Sequence, residues 1–332
     1  MRRRVSGVVA VAAVAAVVAG CGSSGGGAST STSSVPSTAS GPSVSPSGPS
    51  SVGASGSGGA ASASASTGKY YVSIGDSYAA GYQPTAPGKG STTRNGFAYQ
   101  VVTGAKAKGY QLTLVNFACA GATTSSVLTK PGCAADLRGP GGEAYTDTQA
   151  AAAEKFLRAH RGDVALVTVS LGGNDVTACG VSSNPVGCVT TALATVEKNL
   201  ATLLSGLRSA AGPSTRIIGT TYPDVLLGDT LSKDAARRST AALSVVAFKS
   251  LINPGLLKTY KAANAGFVDV TAATGAYGSM TQKTTLAPYG SIPVPVAKIC
   301  TLTYYCQYQD IHPRTNGYAV IAKLILADLP AK

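Results

Sequence analysis

The chain has 332 residues, of which 44% are hydrophobic and only 12% charged, and its formal net charge is +13. That balance excludes a charge-rich disordered protein and a coiled coil. The basic residues are spread out without a dense run, which speaks against a nucleic-acid-binding surface and leaves a basic domain that tolerates an anionic envelope.

Residues 1–20 carry Arg2, Arg3 and Arg4 followed by an apolar run too short to span a bilayer, the pattern of a signal peptide. The run ends Val18-Ala19-Gly20-Cys21, which resembles a bacterial lipobox. That resemblance implies cleavage before Cys21 and a diacylglycerol on its thiol, placing an exported lipoprotein on the outer face of the cytoplasmic membrane. Without the three arginines the net charge is near +10. Residues 22–68 contain only Gly, Ser, Ala, Thr, Pro and Val. They have too little apolar surface to offset their ordering entropy and read as a flexible tether with a span of roughly 35–40 Å. Residues 69–332 then form one domain, large enough for a single α/β core.

In chain order, apolar β-branched runs predict strands at 70–74, 112–117, 164–170 and 216–221, with a weaker one at 267–270. Because these runs are continuous rather than alternating, they suggest a parallel sheet covered on both faces. Helices are expected at 148–160, 189–210, 233–264 (broken near Pro254-Gly255) and 315–329, the last with Val320, Leu324 and Ala327 toward the core. Strand–helix alternation predicts a doubly wound sheet with its site at the carboxyl ends of the strands.

Four segments at those ends carry chemistry. Gly75-Asp76-Ser77 follows the first strand and puts a hydroxyl where a helix begins. Ala118-Cys119-Ala120-Gly121-Ala122-Thr123 follows the second, with a glycine whose N–H can donate to a developing anion. Gly172-Gly173-Asn174-Asp175 follows the third and adds an amide donor. Asp310-Ile311-His312-Pro313 precedes the last helix. Asp76 is expected to bond its own turn, Asp175 and Thr123 or Thr124 to cap helices, and His160 to end a helix in solvent.

Together, and in this order, the four segments resemble the SGNH/GDSL hydrolase family, in the branch of exported actinobacterial esterases and lipases. The resemblance covers most of residues 69–332. It implies a flavodoxin-like three-layer α/β/α fold with a five-stranded parallel sheet, and a carboxylic ester hydrolase without metal or cofactor. It implies Ser77 as nucleophile, His312 as general base, and an oxyanion hole made by Ser77, Gly121 and Asn174. The common family pattern has Asp three residues before His, where this chain has Gln309. Asp310, two before, can still reach His312 if the chain is extended; otherwise a backbone carbonyl orients the ring. Alternatives on the same residues are a carbohydrate O-deacetylase or an envelope acyltransferase, with a non-catalytic binding lipoprotein the remote one.

Beyond Cys21, six cysteines in an exported chain imply disulfides, and their clustering favours Cys119–Cys133, Cys179–Cys188 and Cys300–Cys306. Each would brace a loop that carries a site residue. No spacing suits a metal. Loops 81–96 and 279–298, the second with Pro288, Pro293 and Pro295 among apolar residues, are expected to shape the acyl pocket and to favour short to medium chains.

Overall fold

The computed structural model describes residues 69–332. The expected signal peptide at 1–20, the expected lipidation of Cys21 and the expected tether to residue 68 lie outside the described residues.

Nine strands are present among the described residues: β1 (Tyr70–Gly75), β2 (Tyr82–Ala86), β3 (Lys89–Thr92), β4 (Thr113–Asn116), β5 (Val164–Ser170), β6 (Arg216–Thr220), β7 (Gly266–Val268), β8 (Lys283–Leu286) and β9 (Gly290–Pro293). Five of them form one sheet in the order β4-β1-β5-β6-β7, and every neighbouring pair is parallel. β5 is buried at all seven positions, which is why its apolar run is unbroken. β1 divides its side chains between two cores. Val72 and Ile74 enter one with the Gln149–Ala159 and Pro185–Ala211 helices, while Tyr71 enters the other with the Phe97–Ala105 and Thr315–Asp328 helices. The sheet is thus sandwiched in three layers, the flavodoxin-like arrangement. Its strand order reverses between β1 and β5, the crevice where such sheets bind ligands.

Three expectations need correction. The fifth strand ends at Val268, because Asp269 caps a short helix whose first residue is Val270. The helix at Ala235–Ala262 is not broken at Pro254 but runs through it. A π-helical turn at Phe248–Ile252 widens the backbone just before the proline, which relieves the missing N–H and the clash with the preceding turn. In the last helix the buried stripe is Tyr318, Ile321, Ala322 and Ile325. Val320 and Leu324 flank it, half-buried, and Ala327 is exposed, so the core face is rotated from the predicted one.

The two regions expected to wall the pocket are antiparallel hairpins instead. β2 pairs with β3, and β8 pairs with β9. Ile292 and Val296 pack with Ala297 and Cys300 into a small core of their own. Cys119–Cys133, Cys179–Cys188 and Cys300–Cys306 are all bridged.

Candidate active site

Ser77 opens a four-residue helix at the end of β1. Asp76 is its N-cap, and Oδ1 accepts the Tyr78 N–H at 2.9 Å. Gly75 is required at the turn because a Cβ there would lie 2.5 Å from the Ser170 carbonyl oxygen of β5. The turn is also clamped from outside: Gly75 N–H donates to Gln149 Oε1 at 2.8 Å, and Gln149 Nε2 donates back to the Gly75 carbonyl at 3.1 Å.

His312 arrives from a loop held on both sides. Tyr304 N–H donates to its carbonyl at 3.0 Å, and Tyr78 hydroxyl donates to the Ile311 carbonyl at 2.5 Å. Its ring packs against Tyr82, with centroids 4.5 Å apart. Nε2 lies 2.8 Å from Ser77 Oγ and Nδ1 lies 2.7 Å from Asp310 Oδ1, which also accepts the His312 backbone N–H at 2.9 Å. With the proton on Nδ1, Nε2 is free to accept from the serine hydroxyl. Asp310, two residues before His312, therefore reaches the ring as an extended chain allows. Gln309 before it adopts a left-handed φ of 55°, which turns the chain out of the Tyr305–Tyr308 helix. Burial pulls the Asp310 carboxyl upward, but its bonds with His312 outweigh this and leave it below the usual carboxylate range.

Asn174 sits in the first turn after β5, behind Gly172 in a left-handed conformation. Its Nδ2 donates to the Ala122 carbonyl at 2.8 Å, which ties this loop to the neighbouring Gly121. Gly121 has φ 82° and an exposed surface. Neither its N–H nor that of Ser77 donates to a protein acceptor among the described residues. Asp175 does not cap its own helix. Its carboxylate accepts the Thr124 N–H and hydroxyl from across the crevice, at 3.0 and 2.6 Å. Ser125, not Thr123 or Thr124, is the N-cap of the Ser126–Thr129 helix, and the Thr123 hydroxyl accepts the Ser126 N–H at 3.0 Å from just before it.

Tyr222, which sequence reasoning missed, joins the first and third blocks. Its hydroxyl donates to Asp76 Oδ2 at 2.6 Å, and its ring fills the space where a Cβ on Gly173 would lie, 2.9 Å away. Burial pushes Asp76 up to about 6, opposed by the bonds from Tyr222 and Tyr78. His160 is remote from this cluster. It caps the Gln149–Ala159 helix and packs its ring on Phe156 and Tyr70, at the opposite end of β1 from Ser77.

A groove leads away from Ser77. Its floor carries Gly173, Asn174 and Tyr222, and its walls are Val186, Val189 and Leu193 of the Pro185–Ala211 helix facing Leu243, Phe248 and Leu256 of the Ala235–Ala262 helix. The two crossover helices make this pocket, and the hairpins take no part in it. The Cys179–Cys188 bridge pins the start of one wall.

A family model described as GDSL-like lipase/acylhydrolase matches residues 71–325. The chain belongs to that family. Its members are carboxylic ester hydrolases, and the GDSL serine block here is Gly75-Asp76-Ser77. Among solved structures, this GDSL-family chain is similar to an extracellular lipase from Streptomyces rimosus, at 19% identity over 80% of this chain and 100% of that one, with a TM-score of 0.49. It is similar to a phospholipase A1 from Streptomyces albidoflavus at 20% identity, covering 78% and 99%, TM-score 0.46. An acetyl xylan esterase from Geobacillus stearothermophilus matches at 17% identity, covering 80% and 96%, TM-score 0.41. Comparison with curated proteins finds no match.

Proposed function

We propose that this GDSL-family protein is an exported serine esterase for medium-chain acyl esters, with Ser77, His312 and Asp310 as its catalytic triad. The observation that carries the reading is the continuous relay from Asp310 through His312 to Ser77, at 2.7 and 2.8 Å, opening directly onto an apolar groove. Ser77 Oγ attacks the ester carbonyl as His312 Nε2 takes its proton, and the oxyanion is held by the Ser77 and Gly121 N–H groups with the Asn174 amide. Collapse expels the alcohol, which receives the proton from His312. Water then attacks the acyl-serine as His312 takes its proton, and collapse breaks the bond to Ser77 Oγ, which receives that proton from His312 as the acid leaves. Asp310 holds the tautomer and stabilises the imidazolium.

The groove supports an acyl chain as the recognised group. Along the Pro185–Ala211 helix it runs from Val186 to Val196, about 15 Å at the helical rise, the reach of a medium-length chain. An acetyl group would leave that surface unfilled, which favours an acyl lipid over an acetylated sugar. Export and anchoring through Cys21 belong to the same proposal and rest on the N-terminal sequence.

The test is a p-nitrophenyl ester series from acetate to palmitate, with Ser77→Ala alongside. The expected result is turnover that peaks at medium length and is lost in Ser77→Ala. Turnover that persists in Ser77→Ala, or a preference for acetate alone, would overturn the reading.

A further inference from the structure

The outer face of the Ala235–Ala262 helix stands apart from the rest of the surface. Leu243 is 42% exposed and Val246 58%, and Val186 across the groove is 48% exposed. Leu243 and Val246, three apart on the α-helical part, share one solvent-facing side, and Lys249 is exposed in the π-helical turn that follows, over the Tyr277 ring at 5.9 Å. This helix exposes Lys249, Lys258 and Lys261 and has no Asp or Glu, while its Arg237 is paired with Asp229. Residues 177–196, which supply the opposite rim, have no charged side chain at all. An apolar mouth between the exposed lysines of one helix and the uncharged stretch 177–196 complements an anionic lipid surface.

We propose that this rim docks onto an anionic lipid bilayer, with Leu243, Val246 and Val186 in the headgroup boundary and Lys249 on lipid phosphates. Docking brings the mouth of the groove against the lipid phase, so an acyl chain passes from the bilayer into the groove without crossing water. The contact is additional to any anchor at Cys21 and comes from the folded domain itself. It builds on the acyl-groove reading above, but its test is read without turnover.

The test uses residues 22–332, which lack both the apolar leader and Cys21 so that neither anchors the protein, with Val246→Asp and Lys249→Glu made in that background. Co-sedimentation is measured with vesicles of phosphatidylglycerol and phosphatidylcholine in equal parts, and with phosphatidylcholine alone. The expected result is binding to the anionic vesicles that weakens with salt, and that falls at least about fivefold in each variant. Hydrolysis of soluble p-nitrophenyl butyrate should be unchanged by either substitution, since neither residue lines the groove. Equal binding by parent and variants, or binding indifferent to phosphatidylglycerol, overturns the docking face and leaves the esterase reading standing. Vesicle binding lost in both variants supports it even if no ester is cleaved.

Discussion

His312 Nε2 stands 2.8 Å from Ser77 Oγ although 235 residues separate them in the chain. The contact exists because β1 delivers Ser77 to the edge where the sheet order reverses, and because the His312 loop is tied to it through the Tyr78 hydroxyl. A pair so placed makes the role of the third member measurable.

Asp310→Asn keeps the shape of the loop but favours the wrong tautomer of His312. The kcat on p-nitrophenyl butyrate should fall about 10²–10⁴-fold, with KM little changed. A loss under tenfold in both Asp310→Asn and Asp310→Ala would remove Asp310 from the triad and leave a Ser77–His312 dyad.

Asn174→Ala removes one proposed oxyanion donor and the bond to the Ala122 carbonyl. Turnover should drop about 10²–10³-fold. The loss should appear in kcat, because the donor is needed most when charge develops; a change confined to KM would assign Asn174 to ground-state binding.

Tyr222→Phe deletes the hydroxyl that donates to the buried Asp76. Leaving that carboxyl without its partner should destabilise the fold by about 1–3 kcal/mol in urea melts. The Asp76 pKa, already raised to about 6 by burial, should rise further, because the lost bond was lowering it. An unchanged melt would mean that the ring packing against Gly173, not the hydroxyl, is what Tyr222 contributes.

Asp224 is fully buried, and its Oδ2 accepts the Ser244 hydroxyl at 2.9 Å. Burial pushes its carboxyl from 3.8 up to about 7. A carboxyl with a raised folded pKa keeps a proton that the unfolded chain releases, so its stabilisation is complete below about pH 4 and is lost as pH climbs through 7. Asp224→Asn cannot titrate. The stability of this variant relative to the parent should therefore improve by roughly 1–3 kcal/mol between pH 5 and pH 8. Parallel pH curves for the two proteins would refute this.

Val189→Trp should narrow the groove between the two wall helices. Cleavage of p-nitrophenyl decanoate should fall at least about tenfold while the acetate ester is spared, since overpacking acts only where the chain lies. Equal losses on both esters would show that the acyl chain leaves Ser77 by another route.

The chemistry was legible in the linear order of residues. The unbroken apolar run of β5, the Gly75-Asp76-Ser77 turn and the Asp310–His312 pair declare themselves through composition and short spacing, because local periodicity and turn chemistry are written in neighbouring residues. The paired cysteines belong to the same class.

Only the tertiary structure decided which distant residues share a space. Gln149 on Gly75, Tyr222 on Asp76 and Asp175 on Thr124 join residues 74, 146 and 51 apart. No periodic pattern encodes such pairs, since the packing of separate elements creates them. The groove is of the same kind. Loops rich in proline and apolar residues looked like its walls, yet they close on themselves as a hairpin and a small core. The crossover helices, each with one face on the sheet, are the elements that lie along the carboxyl edge beside Ser77. Residue order determined the candidate reacting groups, and the packing of helices on the sheet determined what can reach them.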